Sequence, residues 1–151
     1  MMCLFLILLL TMGCDVQKAE SDIQTAQPEI HLIPEGFVGH VSLYFDTPDG
    51  AQKKWEGNAR LYEIPRRGKF RTSFSPNLGI RPPNSMRFYY VDSQGNRTLI
   101  PSRKAQNLSP DTVVVSNVYV IDQELHYFID HLDRIDTYKN PAINESERQY
   151  Q

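Results

Sequence analysis

The sequence is poor in cysteine and contains no long apolar segment. Only Cys3 and Cys14 occur among its 151 residues, which excludes the disulfide framework of many small secreted domains. The apolar run at residues 3–10 is too short for a membrane-spanning helix, which needs about 20 such residues. With a net charge of −2, the chain lacks the positive excess of a nucleic-acid-binding protein, so we expect no nucleic-acid partner.

Motifs that carry catalytic or metal chemistry are also missing. The four histidines do not form a motif such as HExxH, and a metal site would have to be assembled from distant strands. No GxSxG elbow, SxxK motif or P-loop occurs. We therefore expect no metal, no cofactor and no enzymatic activity.

The N-terminal segment has the features of an export signal. Its apolar run has the length of a signal-peptide core, and the following TMGC resembles a bacterial lipobox. In that motif a small residue, here Gly13, precedes a cysteine that is lipidated and becomes the first residue of the mature chain. We therefore predict lipidation at Cys14, which would hold the chain to a membrane. The alternative is ordinary cleavage nearby, for example after Ala19, with no lipid.

Composition divides the remainder of the chain. We predict a signal peptide at 1–13, a lipidated cysteine and flexible tether at 14–28, a folded domain at 29–138 and a polar tail at 139–151. The tether and the tail are assigned from their polar composition.

Short runs of alternating apolar and polar residues fill the segment that begins at Glu29. The runs are EIHLIP, GHVSLYFD, ARLYEIP, KFRTSF, MRFYYVD, RTLI, TVVVSNVYVID and ELHYFID. Turn-forming segments such as TPDG and SQGN separate them. This pattern predicts an all-β domain, an antiparallel β-sandwich of immunoglobulin-like or transthyretin-like type with seven or eight strands. A short helix is expected around DHLDRIDTYK, where Leu132 and Ile135 are three residues apart.

Three segments resemble an uncharacterised family of small bacterial lipoproteins. They are LIPEGFVGHVSLYFDTPDG, LYEIPRRGKFRTS and FYYVDSQGNRTLI. The family pattern is IPEG(Y/F)-x-G-x-V, an acidic Gly turn, Y-x-IP-x-x-G and a later aromatic strand that ends in an Asp-containing turn. The resemblance covers about residues 29–100 and implies a sandwich-like lipoprotein domain in the cell envelope, with no assigned activity. Where the family often has an acidic residue between Pro and Gly of the second motif, this chain has Arg66 and Arg67.

The segment RRGKFRTSF supplies the best candidate for a binding surface. In a strand, Arg67, Lys69 and Arg71 lie on one face because alternate residues do, while Phe70 lies on the other. Three aligned cations suit an anionic polymer, lipid headgroups or an acidic partner. The alternative is a solvated face that discourages edge-to-edge pairing of strands. These three residues form the predicted anion-binding site.

Together the patterns predict a lipid-anchored cell-envelope protein with a non-catalytic binding or structural domain. Its expected partners are the membrane, through the lipid, and an envelope protein or polysaccharide. One alternative is a secreted domain without lipid that binds glycan or anionic polymer through the basic face. A second alternative, an envelope hydrolase, is disfavoured by the missing nucleophile motifs.

Overall fold

A computed structural model describes residues 24–138, and within that range the chain forms two five-stranded sheets. The first sheet has the order β3-β4-β1-β6-β7; the second has the order β5-β2-β10-β8, with β9 also paired to β10. The strands are β1 Glu29–Pro34, β2 Gly39–Tyr44, β3 Lys54–Glu56, β4 Ala59–Glu63, β5 Lys69–Arg71, β6 Met86–Val91, β7 Arg97–Leu99, β8 Val113–Val115, β9 Tyr119–Ile121 and β10 Glu124–His131.

The prediction of an all-β domain is confirmed, but the strands pair in a mixed manner. Strand β1 is parallel to both β4 and β6, and β2 is parallel to β5. The other strand pairs are antiparallel. The reason is that the chain leaves β1 for the second sheet and returns later, and such crossovers bring strands back in the same direction.

Side chains from both sheets form one hydrophobic core. Tyr62 of the first sheet and Tyr127 of the second are its largest fully buried members. The ring of Tyr62 meets Phe74 edge to face, with 5.7 Å between the centroids, an arrangement that stabilises aromatic pairs beyond the burial of their area. The two sheets therefore pack through their inner faces, as in a sandwich.

Other differences from the sequence prediction are local. Strand β3 was not predicted, and the run TVVVSNVYVID is divided between β8 and β9. The helix expected around DHLDRIDTYK is a single 3-10 turn at Ile135–Thr137, because Asp130 and His131 belong to β10 and pair with β8.

The segment before β1 is attached to the domain. Thr25 forms a parallel bridge with Ile80, and Ala26 is buried. The ordered pairing thus begins four residues before Glu29, inside the range assigned to the tether. The predicted signal peptide, the Cys14 lipidation site and the polar tail lie outside the described residues. Across residues 24–138 no helix has the length and apolar character needed to span a membrane.

Candidate functional site

The predicted basic residues lie at one edge of the second sheet. Lys69 and Arg71 are on the edge strand β5, opposite Ser42 and Tyr44 of β2. Arg67 belongs to the turn that precedes β5 rather than to the strand itself. All three cationic side chains are exposed. The prediction that alternate strand residues share one face therefore applies to Lys69 and Arg71, whereas the turn sets the position of Arg67.

That turn depends on Gly68. Its amide donates to the carbonyl of Pro65 at 2.8 Å, and its φ is +73°. A Cβ added there would lie 2.2 Å from the backbone oxygen of His40, which no side chain tolerates. Glycine therefore allows the turn to pack directly against β2, and β5 begins beside that strand with Lys69 opposite Ser42.

The three cations line one groove. Its volume is about 390 Å³, and its walls are formed by Tyr44, Thr47, Arg67, Lys69 and Arg71. This volume is at the lower end of the range of roughly 300–1,000 Å³ found for ligand sites. The groove is therefore large enough for one small anionic unit.

The charge of the groove is only partly compensated. Arg71 forms a 2.6 Å ion pair with Asp49, and both side chains are more than half exposed. Among residues 24–138, neither Arg67 nor Lys69 has a carboxylate within ion-pair distance. Three cations and one carboxylate leave a net positive site that can accept an anion.

A second polar site, which sequence reasoning missed, lies inside the domain. Glu29 is fully buried, and its Oε1 accepts a hydrogen bond from Asn77 Nδ2 at 2.7 Å. Its Oε2 is 3.1 Å from Arg81 Nη1 and 3.4 Å from His31 Nε2. The other ring nitrogen of His31 is 3.1 Å from the hydroxyl of Tyr127. The alternation in EIHLIP places Glu29 and His31 on one strand face, but no local signal identifies partners so distant in sequence.

The environment of Glu29 favours the ionised carboxylate. Burial alone would raise its pKa, but the hydrogen bond and charge of His31, the charge of Arg81 and the hydrogen bond from Asn77 outweigh that effect. The pKa of Glu29 is therefore held below its usual value. The opposite applies to the neighbouring Tyr127, whose pKa is raised well above its usual value by burial and by the charge of Glu29. We interpret this network as a structural element of the core.

The comparisons with known proteins concern the whole domain. A family model described as a family of unknown function, DUF6843, matches residues 25–136. The chain belongs to this family. The match spans nearly all of the described DUF6843 domain, which confirms the expectation of an uncharacterised family. The IPEG pattern quoted for that family stays a prediction.

Other comparisons add little to the DUF6843 assignment. A crystal structure from Bacillus anthracis named "putative lipoprotein" is similar, with 16% identity and a TM-score of 0.48. The similarity covers 85% of this chain and 94% of that chain. At this level the likeness supports no inference about function. Curated proteins give no match.

Proposed function

We propose that this protein is a lipid-anchored cell-envelope protein whose DUF6843 domain binds an anionic polysaccharide through the basic groove. The observation that carries the proposal is the convergence of Arg67, Lys69 and Arg71 on one groove of about 390 Å³. The anchor rests on the short apolar run and the TMGC segment that ends at Cys14.

The side chains of the groove suit a sugar that carries acidic groups. Each arginine offers a planar fork that pairs with carboxylate or phosphate through two parallel hydrogen bonds, and Lys69 adds a compact charge. The ring of Tyr44 can lie against a sugar ring. The hydroxyl of Thr47 donates to the backbone oxygen of Thr72 at 3.0 Å, so its oxygen is left to accept a hydrogen bond from a sugar hydroxyl. The acidic group of an anionic lipid headgroup would pair with the cations in the same way, but the headgroup would not use the contacts with Tyr44 and Thr47.

The spacing of the charges favours joint action on one ligand. Lys69 and Arg71 are two residues apart on β5, which corresponds to about 6.5–7 Å along a strand. This distance is shorter than the Debye length of about 8 Å at physiological ionic strength. An anionic ligand in the groove therefore feels both charges together, and binding should weaken as salt is added.

Asp49 competes with the proposed ligand for Arg71. Its pair with Arg71 is exposed on both sides, and exposed ion pairs contribute only about 0–1 kcal/mol. An incoming acidic group can therefore replace it at little cost. We expect Asp49→Asn to strengthen binding at low salt, whereas a ligand bound elsewhere would not respond to this change.

The test is a titration of the purified protein with an acidic polysaccharide at two salt concentrations. Simultaneous replacement of Arg67, Lys69 and Arg71 by alanine should weaken binding by about 1–3 kcal/mol, roughly 5- to 150-fold, if each cation contributes as a partly screened pair. A matched control removes the same charge on and beside the other sheet, where three exposed side chains are changed to alanine: Lys53, just before β3, Lys54 of β3 and Arg87 of β6.

The control distinguishes the groove from a general charge effect. If the two triple variants lose the same affinity for the polysaccharide, the groove is a solvated strand face and not the binding site. If the parent and the control variant bind anionic lipid vesicles but no polysaccharide, and the groove variant binds neither, the ligand of the groove is a lipid headgroup.

The anchor has its own test. Cys14→Ser should move the protein from the membrane fraction to the soluble fraction, or leave an uncleaved precursor, because Cys14 is the proposed lipid acceptor. Cys3→Ser is the matched control and should remain membrane-bound, since Cys3 lies in the part that is removed. Unchanged fractionation and mass for Cys14→Ser would contradict the lipoprotein assignment.

A further inference from the structure

A cluster of imidazole, hydroxyl and carboxylate groups lies on the outer face of the second sheet. Ser42 of β2 is directly opposite His126 of β10, and His40 is opposite Phe128. Since alternate strand residues share a face, His40, Ser42, Glu124 and His126 all lie on the same side of the sheet. His40 is exposed at the surface, whereas Ser42 and His126 are buried beneath it.

Three polar atoms of this cluster form a nearly regular triangle. His40 Nε2 is 3.2 Å from His126 Nδ1. The hydroxyl oxygen of Ser42 is 3.1 Å from His126 Nδ1 and 3.5 Å from His40 Nε2. Nitrogen ligands lie about 2.0–2.1 Å from a tetrahedral Zn²⁺, so two of them are separated by about 3.3 Å. The triangle therefore has the dimensions of one face of a metal coordination tetrahedron.

We propose that His40 Nε2 and His126 Nδ1 bind a divalent first-row transition metal of the Zn²⁺ or Cu²⁺ type, with the Ser42 hydroxyl at the third corner and water at the fourth. Imidazole nitrogen is a preferred ligand of these ions, whereas Mg²⁺ and Ca²⁺ prefer oxygen. Within residues 24–138 no three His, Cys, Asp or Glu side chains form such a group. The site is thus an open one built on two imidazoles, and it binds more weakly than a structural site with four protein ligands.

Glu124 lies beside the outer ring nitrogen of the buried histidine. Its Oε2 is 3.4 Å from Nε2 of His126, the ring nitrogen that does not face His40. A carboxylate in that position favours the tautomer with its proton on Nε2, which leaves the lone pair of Nδ1 free to coordinate. The same carboxylate–histidine–metal arrangement is widespread at zinc sites, where it fixes the orientation of the ring.

The surrounding rings allow the geometry that a metal needs. The ring plane of His126 is nearly parallel to those of Tyr119 and His40, with centroid distances of 5.5 and 5.3 Å and interplanar angles of 16° and 21°, and the nitrogen-bearing edges of the two histidines face each other. His40 also stacks on Phe128 at 4.6 Å. If the lone pairs of His40 Nε2 and His126 Nδ1 point directly at each other, each ring must tilt by roughly 35° so that both lone pairs point at one tetrahedral metal ion. Most of that movement is available to His40, because it is exposed.

Both imidazoles are held in the form that binds metal. Partial burial of its ring, which the exposure of the residue as a whole does not remove, followed by the charges of His126 and Lys69, lowers the pKa of His40. Burial also lowers the pKa of His126. Neutral imidazole is the coordinating species, so both rings are ready to bind at neutral pH.

The experiment is a calorimetric titration of Zn²⁺ into the detergent-solubilised full chain without an affinity tag. Cys3→Ser and Cys14→Ser are included so that no thiol competes. We expect one saturable site per chain and no comparable binding of Mg²⁺ or Ca²⁺. His40→Gln should weaken Zn²⁺ binding by at least about tenfold, since loss of an outer-shell partner alone costs 10–100-fold.

His131→Gln is the matched control. His131 also belongs to β10, but its Nδ1 contacts the backbone oxygen of Asp111 at 2.7 Å and lies outside the cluster. This variant should bind Zn²⁺ like the parent chain. Zn²⁺ should raise the Tm of the parent and of His131→Gln but not that of His40→Gln, because a ligand stabilises only the fold that binds it.

Several results would overturn the proposal. One is the absence of saturable Zn²⁺ and Cu²⁺ binding to the parent chain. Another is equal Zn²⁺ affinity in His40→Gln and the parent, or equal losses in the two histidine variants. Because His40 is exposed, His40→Gln should keep the parent's Tm in the presence of a chelator. A large drop in that Tm would also overturn the proposal, since it would show that His40 is a structural residue rather than a free ligand.

Discussion

Replacement of Glu29 by glutamine should strongly destabilise the fold. Glutamine has a similar shape, but it removes the charge that faces Arg81 at 3.1 Å and turns a carboxylate oxygen into a donor on one side of the side chain. Removal of one partner from a buried ion pair costs about 3–5 kcal/mol, because the remaining charge is left unpaired. The Arg81 side chain is 28% exposed and can recover part of this through water. We therefore expect the free energy of unfolding to fall by about 2–4 kcal/mol.

Urea unfolding at neutral pH measures this loss, and Glu63→Gln is the control. Glu63 forms a 2.6 Å ion pair with Lys54, but both side chains are more than half exposed. Such pairs contribute at most about 1 kcal/mol. Equal destabilisation by the two substitutions would refute the buried-network interpretation, as would a loss below about 0.5 kcal/mol for Glu29→Gln.

The pH dependence of the same comparison provides an independent check. The pKa of Glu29 is lower in the folded protein than its ordinary value of 4.5. Between these two pKa values the unfolded chain therefore binds more protons than the folded protein. The corresponding stability is fully present above pH 4.5 and is lost as the pH falls through the folded pKa. The difference between the parent and Glu29→Gln should therefore shrink below about pH 4.5. A difference that stays constant down to pH 3 would contradict the assigned pKa direction.

The remaining predictions concern the turn before β5 and the histidine pair. Gly68→Ala should destabilise the domain by more than the roughly 1–2 kcal/mol expected for a left-handed residue, because its Cβ would meet the His40 backbone oxygen. Gly57→Ala is the control, since φ is +60° there and no atom lies within 4 Å; equal Tm losses would contradict the contact argument. The lowered pKa values of His40 and His126 predict stability that is present above about pH 6.5 and lost at lower pH. His40→Gln should reduce this slope in urea unfolding, and an unchanged slope would show that other groups cause it.

Local patterns predicted the strands better than their pairing. The runs that became β1, β2, β6 and β10 are six or more residues long, which is long enough for a period-2 signal to be recognised. Strand β3 is three exposed residues and offers no alternation. The parallel partners of β1 are set by which inner faces fit together, and no segment of sequence encodes that choice by itself.

The candidate sites also differ in how far the sequence could predict them. Lys69 and Arg71 follow from alternation within a single strand, so their common face could be predicted. Arg81 reaches Glu29 across 52 positions, and His126 reaches His40 across 86. Contacts of that separation depend on the assembled sheets, which explains why sequence reasoning treated the histidines as unrelated residues.

The positions of β1 and β10 bear on when the chain can fold. The first strand lies in the middle of one sheet, between β4 and β6, and the last strand lies in the middle of the other, between β2 and β8. Neither sheet can close until distant parts of the chain are available, and folds dominated by such distant pairings form slowly. A chain that lacks β10 therefore cannot complete the second sheet, because β10 pairs with β2, β8 and β9. For the export that we propose, this delay would help to keep the polypeptide unfolded until β10 is available.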